Sequence, residues 1–313
     1  MTARHRLVRV PASSANLGPG YDVLAAALDM FLELEVEEAG EFSFDPGPLE
    51  VPSDRGNLIV RAFESLHPAD GIAFRLKRGV PLARGLGSSA AAIVAGLAAA
   101  DHLYELALSK REMLARATEL EGHPDNVAAA IYGGFVICGR DADGAPSAAG
   151  GAVSADGAPS APGGAVSAVR FDPPSGLEGI VAIPAEAVST ERARGAVPAE
   201  LPLADAVANI AAASRLVLGL QRSDLDLVAA GLADSIHQPR RRDLYPRSME
   251  LVDSAREFGA LGATISGAGP TVLVWTTWQD AGKVSEELEA RCAGWADVHR
   301  LPFTPHGADV PEL

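Results

Sequence analysis

Pro81-Leu-Ala-Arg-Gly-Leu-Gly-Ser-Ser-Ala-Ala91 is a Gly-rich loop that runs directly into an Ala/Ile/Val/Leu stretch. Gly85 and Gly87 permit backbone angles that a β-carbon forbids and let an oxygen-rich ligand approach the main chain. Ser88 or Ser89 is placed to cap the helix that follows. The first amides of a helix have no intrahelical partner and sit at the positive end of the macrodipole, so such a junction favours an anion. An ordinary turn before a capped helix has the same composition, so the flanking segments must decide what the loop holds.

Two familiar phosphate loops are excluded at once. A Walker loop places a Lys after its last Gly, and here Ser88-Ser89 stands there. A dinucleotide fingerprint follows a hydrophobic strand and leads to an acidic residue at the end of a second strand. Here Pro81-Leu-Ala-Arg84 precedes the glycines and helical sequence follows them through Leu120.

On either side of the loop the chain mixes strands and helices. Arg6 to Val10 alternates as a strand, Pro11 to Gly20 is dense in turn formers, and Asp22 precedes an apolar run, Val23 to Leu28, that reads as a turn or two of helix. Phe31 to Val36 and Ile72 to Leu76 read as strands, and Asn57 to Leu66 as helix. Ser109 opens a second helix, Lys110 to Leu120, which delivers a polar cluster holding Glu119, Glu121, His123, Asp125 and Asn126. Strands are expected at Phe135 to Cys138, Val169 to Phe171 and Gly179 to Ile183, and helices at Leu203 to Gly219, Asp224 to Ile236 and Ser248 to Phe258. A second Gly-rich loop, Ser266-Gly-Ala-Gly-Pro270, lies between short strands, and a helix from Gln279 to Cys292 and a strand near Val298 to Leu301 close the chain. Without strict βαβ alternation the class is α+β.

Between these segments, Asp143 to Ala155 and Asp156 to Ala168 form a tandem repeat of thirteen residues that differs only at Ala149 against Pro162. Its Gly/Ala/Pro/Ser composition has no large apolar side chain beyond valine, so it reads as a surface insertion.

A chain of 313 residues with 48% hydrophobic content suits one large soluble domain or two smaller ones. The formal charge of -15 opposes nucleic acid and anionic membranes, and the one dense basic cluster, Arg240-Arg241-Arg242, suits a small anion. Cys138 and Cys292 make neither a disulfide framework nor a metal pattern, which points to a reducing cytoplasm. No stretch of about 18 apolar residues runs without a charge, and the N-terminus has no signal-like apolar segment.

Three blocks read together resemble, in order, the motifs of the GHMP small-molecule kinases: Pro11-Ala-Ser-Ser-Ala-Asn-Leu-Gly-Pro-Gly-Tyr-Asp22, the Pro81 to Ala91 loop, and Gly262-Ala-Thr-Ile-Ser-Gly-Ala-Gly-Pro-Thr271. With Gly122-His-Pro-Asp-Asn-Val127, the first block is similar to the branch that phosphorylates the side-chain hydroxyl of L-homoserine with ATP and Mg²⁺, on the way to threonine. The resemblance implies an N-terminal domain like ribosomal protein S5 domain 2 over residues 1–175, with the insertion at about 141–168, and a ferredoxin-like C-terminal domain over 176–313. It implies ATP contacts from Pro81, Leu82, Ala83, Arg84, Gly85, Leu86, Gly87, Ser88, Ser89, Ala90 and Ala91.

Mg²⁺, which wants hard oxygen ligands, would take a loop serine, Ser88 first, and one carboxylate, Glu119 first and Glu121 second. Asn126 stands where several GHMP kinases carry a basic aspartate, so it would orient the hydroxyl, with Asp125 pointing elsewhere and Thr190 near the transferred phosphate. Arg194 and Arg241 match the carboxylate-binding positions of that branch, and Asn16 and Asp22, with His123 nearby, its ammonium side. A homodimer is also implied. A mevalonate-type kinase and a non-catalytic metabolite sensor on the same fold are the competing readings.

Overall fold

The structure is a computed structural model that describes residues 4–47, 49–140 and 166–311. Most of the tandem repeat lies outside them. Its last three residues, Val166 to Ala168, fall inside and belong to a strand rather than to an insertion, because they pair with the strand that precedes the repeat.

Two sheets organise the chain. The first contains β1 (His5–Ala15), β2 (Leu24–Glu38), β3 (Ser43–Asp45), β4 (Ile72–Arg78), β5 (Phe135–Arg140) and β6 (Val166–Phe171). β2 is its spine: β1 runs antiparallel along one edge, while β4 and β5 pair with successive parts of the other. The helices of this half are α1 (Leu58–Glu64), α2 (Ser88–Tyr104), α3 (Lys110–Glu121) and α4 (Asp125–Tyr132). The second sheet is fully antiparallel, in the order β10 (Ala296–Arg300), β7 (Leu177–Pro184), β9 (Val272–Thr277), β8 (Gly262–Ile265). Its half carries α5 (Thr190–Gly195), α6 (Leu203–Arg222), α7 (Leu225–Gly231), α8 (Pro246–Ser254) and α9 (Ala281–Cys292). This mixed architecture agrees with the α+β class.

Two expectations at the N-terminus are corrected. Val23 to Leu28 is not helical; from Leu24 it is the start of β2, and Asp22 caps no helix. Leu24 to Leu28 are all buried between flanking strands and covering helices. A strand buried on both faces loses its polar alternation, so its sequence looks the same as a buried helix. The turn-rich stretch from Pro11 to Ala15 is likewise strand, the far half of β1. Its serines are buried but satisfied by partners distant in sequence: Ser13 Oγ donates to Asn126 Oδ1 at 2.8 Å, and the Ser14 hydroxyl pairs with Ser266 Oγ at 2.8 Å.

α2 explains the alanine-rich run after the loop. Residues from Ala90 to Ala100 are buried almost without interruption, and small side chains let the sheet on one side and α1 on the other come close. α3 begins with the capping box expected from Ser109, whose Oγ accepts from the Glu112 amide while the Glu112 carboxylate accepts from the Ser109 amide. α7 stops at Gly231, five residues before the expected end at Ile236, because the Asp234 carboxylate accepts the amides of Ile236, His237 and Gln238 and turns the chain. By length and composition alone α6 could cross a membrane; its Asn209, Ala212, Leu216, Gly219 and Leu220 are buried against the protein.

After β10 the chain returns to the first sheet. Leu301 and Phe303 are buried, the Thr304 amide donates to Ala27 O at 3.0 Å, and Arg9 and Asp309 exchange backbone hydrogen bonds.

Candidate active site

A polar cavity lies between the two halves, where the start of α2, the end of α3, the N-terminus of α4, the loop after β1, α5 and the Arg241 turn converge. The Gly-rich loop before α2 forms one wall. Gly87, at φ 68°, occupies the N-cap position of α2 with no side-chain cap, so Ser88 and Ser89 are its first helical residues rather than its caps. The leading amides are thereby left for a ligand. The loop is held from behind: Ser266 Oγ donates to Gly85 O at 2.6 Å, and the Ser13 amide donates to Leu86 O at 3.1 Å. A β-carbon on Gly85 would lie 2.2 Å from Ser266 O and one on Gly87 2.0 Å from Ser13 Oγ, so both positions need glycine for space as well as for φ.

Ala83, Gly85, Gly87, Ser88 and Ser89 line the cavity. Leu86, Ala90 and Ala91 are core side chains that have only main chain to offer, and Arg84 turns away, its Nε donating to Pro184 O at 2.8 Å. Pro81 and Leu82 do not reach the cavity either.

The carboxylates sort differently from the first expectation. Glu119 is exposed on α3 and outside the cavity, whereas Glu121, at the last position of that helix, lines it. Two residues further along a helix is about 200° of rotation, enough to turn a side chain from solvent to the interior. Ser89 Oγ donates to Glu121 Oε2 at 2.6 Å. Burial raises the Glu121 carboxyl above its ordinary range, opposed by that hydrogen bond and by His123.

Beyond Gly122, α4 presents Asp125 and Asn126 together, so Asp125 does not point elsewhere. Its Oδ1 accepts from His123 Nδ1 and from the Asn126 amide, each at 2.7 Å, and both residues line the cavity. Burial alone would lower the His123 pKa; the Asp125 hydrogen bond and charge, with Glu121, outweigh it and raise the pKa. Asn126 Oδ1 accepts from Ser13, which leaves Nδ2 as the end available to a ligand.

The basic cluster resolves into three roles. Arg240 pairs with Asp205 at 2.9 Å and Arg242 with Asp253 at 2.8 Å. Arg241 is 1% exposed, lines the cavity, and has no carboxylate partner among the described residues. Its Nε donates to Ala193 O at 2.8 Å, and its Nη1 donates to Gly267 O at 3.2 Å and to His237 Nδ1 at 3.1 Å. That bond fixes the tautomer of the fully buried His237, whose Nε2 donates to Gly18 O at 2.9 Å. Burial lowers the His237 pKa, keeping it neutral beside the guanidinium. A buried guanidinium satisfied only by neutral groups favours an anion in front of it.

Arg194 lines the same cavity from the last turn of α5, with Thr190 at the first. Arg194 makes a two-point contact with Asp22, 2.7 and 3.0 Å long. The Asp22 amide donates to Asn16 Oδ1 at 3.0 Å, and Asn16 Nδ2 donates to Gly267 O at 2.8 Å, so both ends of the Asn16 amide are engaged in holding the loop. Asn16, Leu17, Gly18 and Asp22 all take positive φ, which gives this loop its shape. Tyr21, which the sequence did not single out, packs at a tilt against His237 and lies under Arg194 and Arg241 at 5.8 and 5.4 Å. Nothing in a lone tyrosine of a turn-rich segment signals that contact.

The models of the GHMP kinase N-terminal and C-terminal domains match residues 57–134 and 216–294. Homoserine kinase of Moorella thermoacetica is 39% identical over 97% of this chain and 99% of its own length. The chain belongs to the homoserine kinases of the GHMP family. The crystal structure of homoserine kinase from Cytophaga hutchinsonii superposes with a TM-score of 0.81 at 28% identity, covering 98% of this chain and 97% of that one. L. major mevalonate kinase in complex with R-mevalonate shares the fold, with a TM-score of 0.66 at 18% identity over 98% and 97% of the two chains. In a GHMP kinase ATP is the phosphoryl donor. Among the described residues no group of three or more His, Cys, Asp or Glu side chains is arranged to hold a metal.

Proposed function

We propose that this chain transfers the γ-phosphoryl group of ATP to the side-chain hydroxyl of L-homoserine, giving O-phospho-L-homoserine on the route to threonine. The observation that carries the reading is the buried, carboxylate-free Arg241, which lines one cavity with Arg194, Asp22 and the Gly-rich loop before α2. Opposite charges lining one cavity suit the α-carboxylate and α-ammonium of an amino acid. R-mevalonate, the ligand of the L. major enzyme, has a carboxylate but no ammonium for Asp22.

In this reading the main chain of Gly85 to Ser89 cradles the triphosphate, and Asn126 Nδ2 positions the acceptor hydroxyl for in-line attack. The bond from the hydroxyl oxygen to phosphorus forms as the bond to ADP breaks, and the proton leaves to a phosphate oxygen or water. The loose transition state of phosphoryl transfer makes positioning and charge neutralisation the main requirements. Glu121 with Ser88 or Ser89 would hold Mg²⁺: a buried carboxylate beside hydroxyl oxygens supplies hard ligands and is relieved by a cation. When bound, the ion would neutralise phosphate charge.

The two sheets support a division near residue 175. Leu203, Val207, Ile210 and Leu218 form an exposed apolar stripe on α6, which supports self-association as a homodimer, to be checked by light scattering. Buried, unpaired Cys138 and Cys292 suit a cytoplasmic location.

Phosphorus NMR of the protein with ATP, Mg²⁺ and L-homoserine tests the reaction. The expected spectrum gains a phosphate monoester in step with ADP; ADP and free phosphate alone would overturn the reading.

A further inference from the structure

Arg194 and Asp22, assigned above to opposite ends of the acceptor, are bound to each other in the structure. The contact is two-pronged, Nη2 to Oδ1 at 2.7 Å and Nη1 to Oδ2 at 3.0 Å. Among the described residues neither group has another ion-pair partner. Both backbones are pinned. Asp22 sits at φ 58° with its amide on Asn16, and the carbonyl beside Arg194, that of Ala193, accepts from Arg241. Only the side-chain ends have to move.

We infer that this internal ion pair is a specificity filter, exchanged for two new pairs by an acceptor that carries both charges and closed to one that carries a single charge. The inference rests on the proposed homoserine site. An incoming α-carboxylate takes the place of the Asp22 carboxylate on Arg194, and the α-ammonium takes the place of the guanidinium on Asp22. One ion pair becomes two. A ligand with a carboxylate alone breaks one pair and makes one, and it strands Asp22 in a cavity already lined by Asp125 and Glu121. An amino alcohol strands Arg194 beside Arg241 in the same way. Discrimination therefore comes from the cost of the orphaned partner, not only from the contact that is missing.

The filter makes an unusual prediction: removing one charge improves the wrong ligand. Asp22→Asn keeps a residue type tolerant of positive φ and frees Arg194. Inhibition constants against L-homoserine phosphorylation are measured for γ-hydroxybutyrate, which lacks the ammonium, and propanolamine, which lacks the carboxylate. In Asp22→Asn, homoserine KM rises while γ-hydroxybutyrate binds about three- to tenfold more tightly, as expected for release of a partly exposed pair. Arg194→Gln, an independent variant, raises homoserine KM and tightens propanolamine by a similar factor. If either folded variant loses homoserine affinity while its single-charge ligand binds no better than to the wild type, the two residues are separate contacts and the filter is overturned. If the wild type neither binds nor phosphorylates L-homoserine, the site assignment itself fails.

Discussion

At the scale of single residues, Arg241 is a buried charge held by neutral groups and Glu121 a half-buried carboxylate beside Ser89 and His123, and both face a cavity that ions of opposite sign would relieve. Glu121→Gln is expected to lower kcat about a hundredfold and to weaken the dependence on Mg²⁺. Its melting temperature should hold or rise, because burial already disfavours the charged carboxylate. Glu119→Gln, on the exposed face of α3, should leave both unchanged. Arg241→Leu should raise homoserine KM by the equivalent of about 2–4 kcal/mol with ATP KM unaltered; a raised ATP KM instead would give Arg241 to the nucleotide. His237 makes a pH prediction. Its folded pKa lies below the ordinary 6.5, so at pH values between the two the unfolded chain binds a proton that the native protein does not. Stability that is fully present above pH 6.5 is therefore lost as the pH falls through that window. Urea unfolding at stepped pH should show the loss, and His237→Gln should reduce it.

At the scale of elements, legibility followed burial. α2 and the start of α3 were readable because a Gly-rich entry and a Ser-x-x-Glu capping box are local signals, although the cap of α2 is Gly87 rather than a serine. Ser109→Ala should cost about 1 kcal/mol of stability and leave kcat alone, which chemical denaturation and a kinetic assay check together. β2 was misread at its start because its first five residues are buried on both faces, and the far half of β1 because its serines find partners more than a hundred residues away. The second glycine loop was visible in sequence, but its job of bracing the first through Ser266 was not. Gly85→Ala should therefore damage more than the loop. With φ 81° and a carbonyl 2.2 Å from the new β-carbon, it should lower the melting temperature and raise ATP KM. A variant with normal ATP KM would show that the loop does not carry the triphosphate.

At the scale of the molecule, the site is made where two sheets meet, and no single segment contains it. Three ordered motifs identified the family because each supplies one wall: the loop after β1, the Gly-rich loop before α2, and the Gly267 turn that accepts from both Asn16 and Arg241. The pairing of Arg194 with Asp22 and the choice of Glu121 over Glu119 were not legible, since both depend on side-chain direction rather than residue type. The return of the C-terminal segment to β1 and β2 was invisible for the same reason. The central claim is that this geometry selects an amino-acid alcohol. Its most direct test is kcat/KM with ATP and Mg²⁺ across L-homoserine, mevalonate, galactose and shikimate. L-homoserine is expected to exceed every other acceptor by at least about a hundredfold, roughly what the unpaired charges would cost; a higher value for any of the others would contradict it.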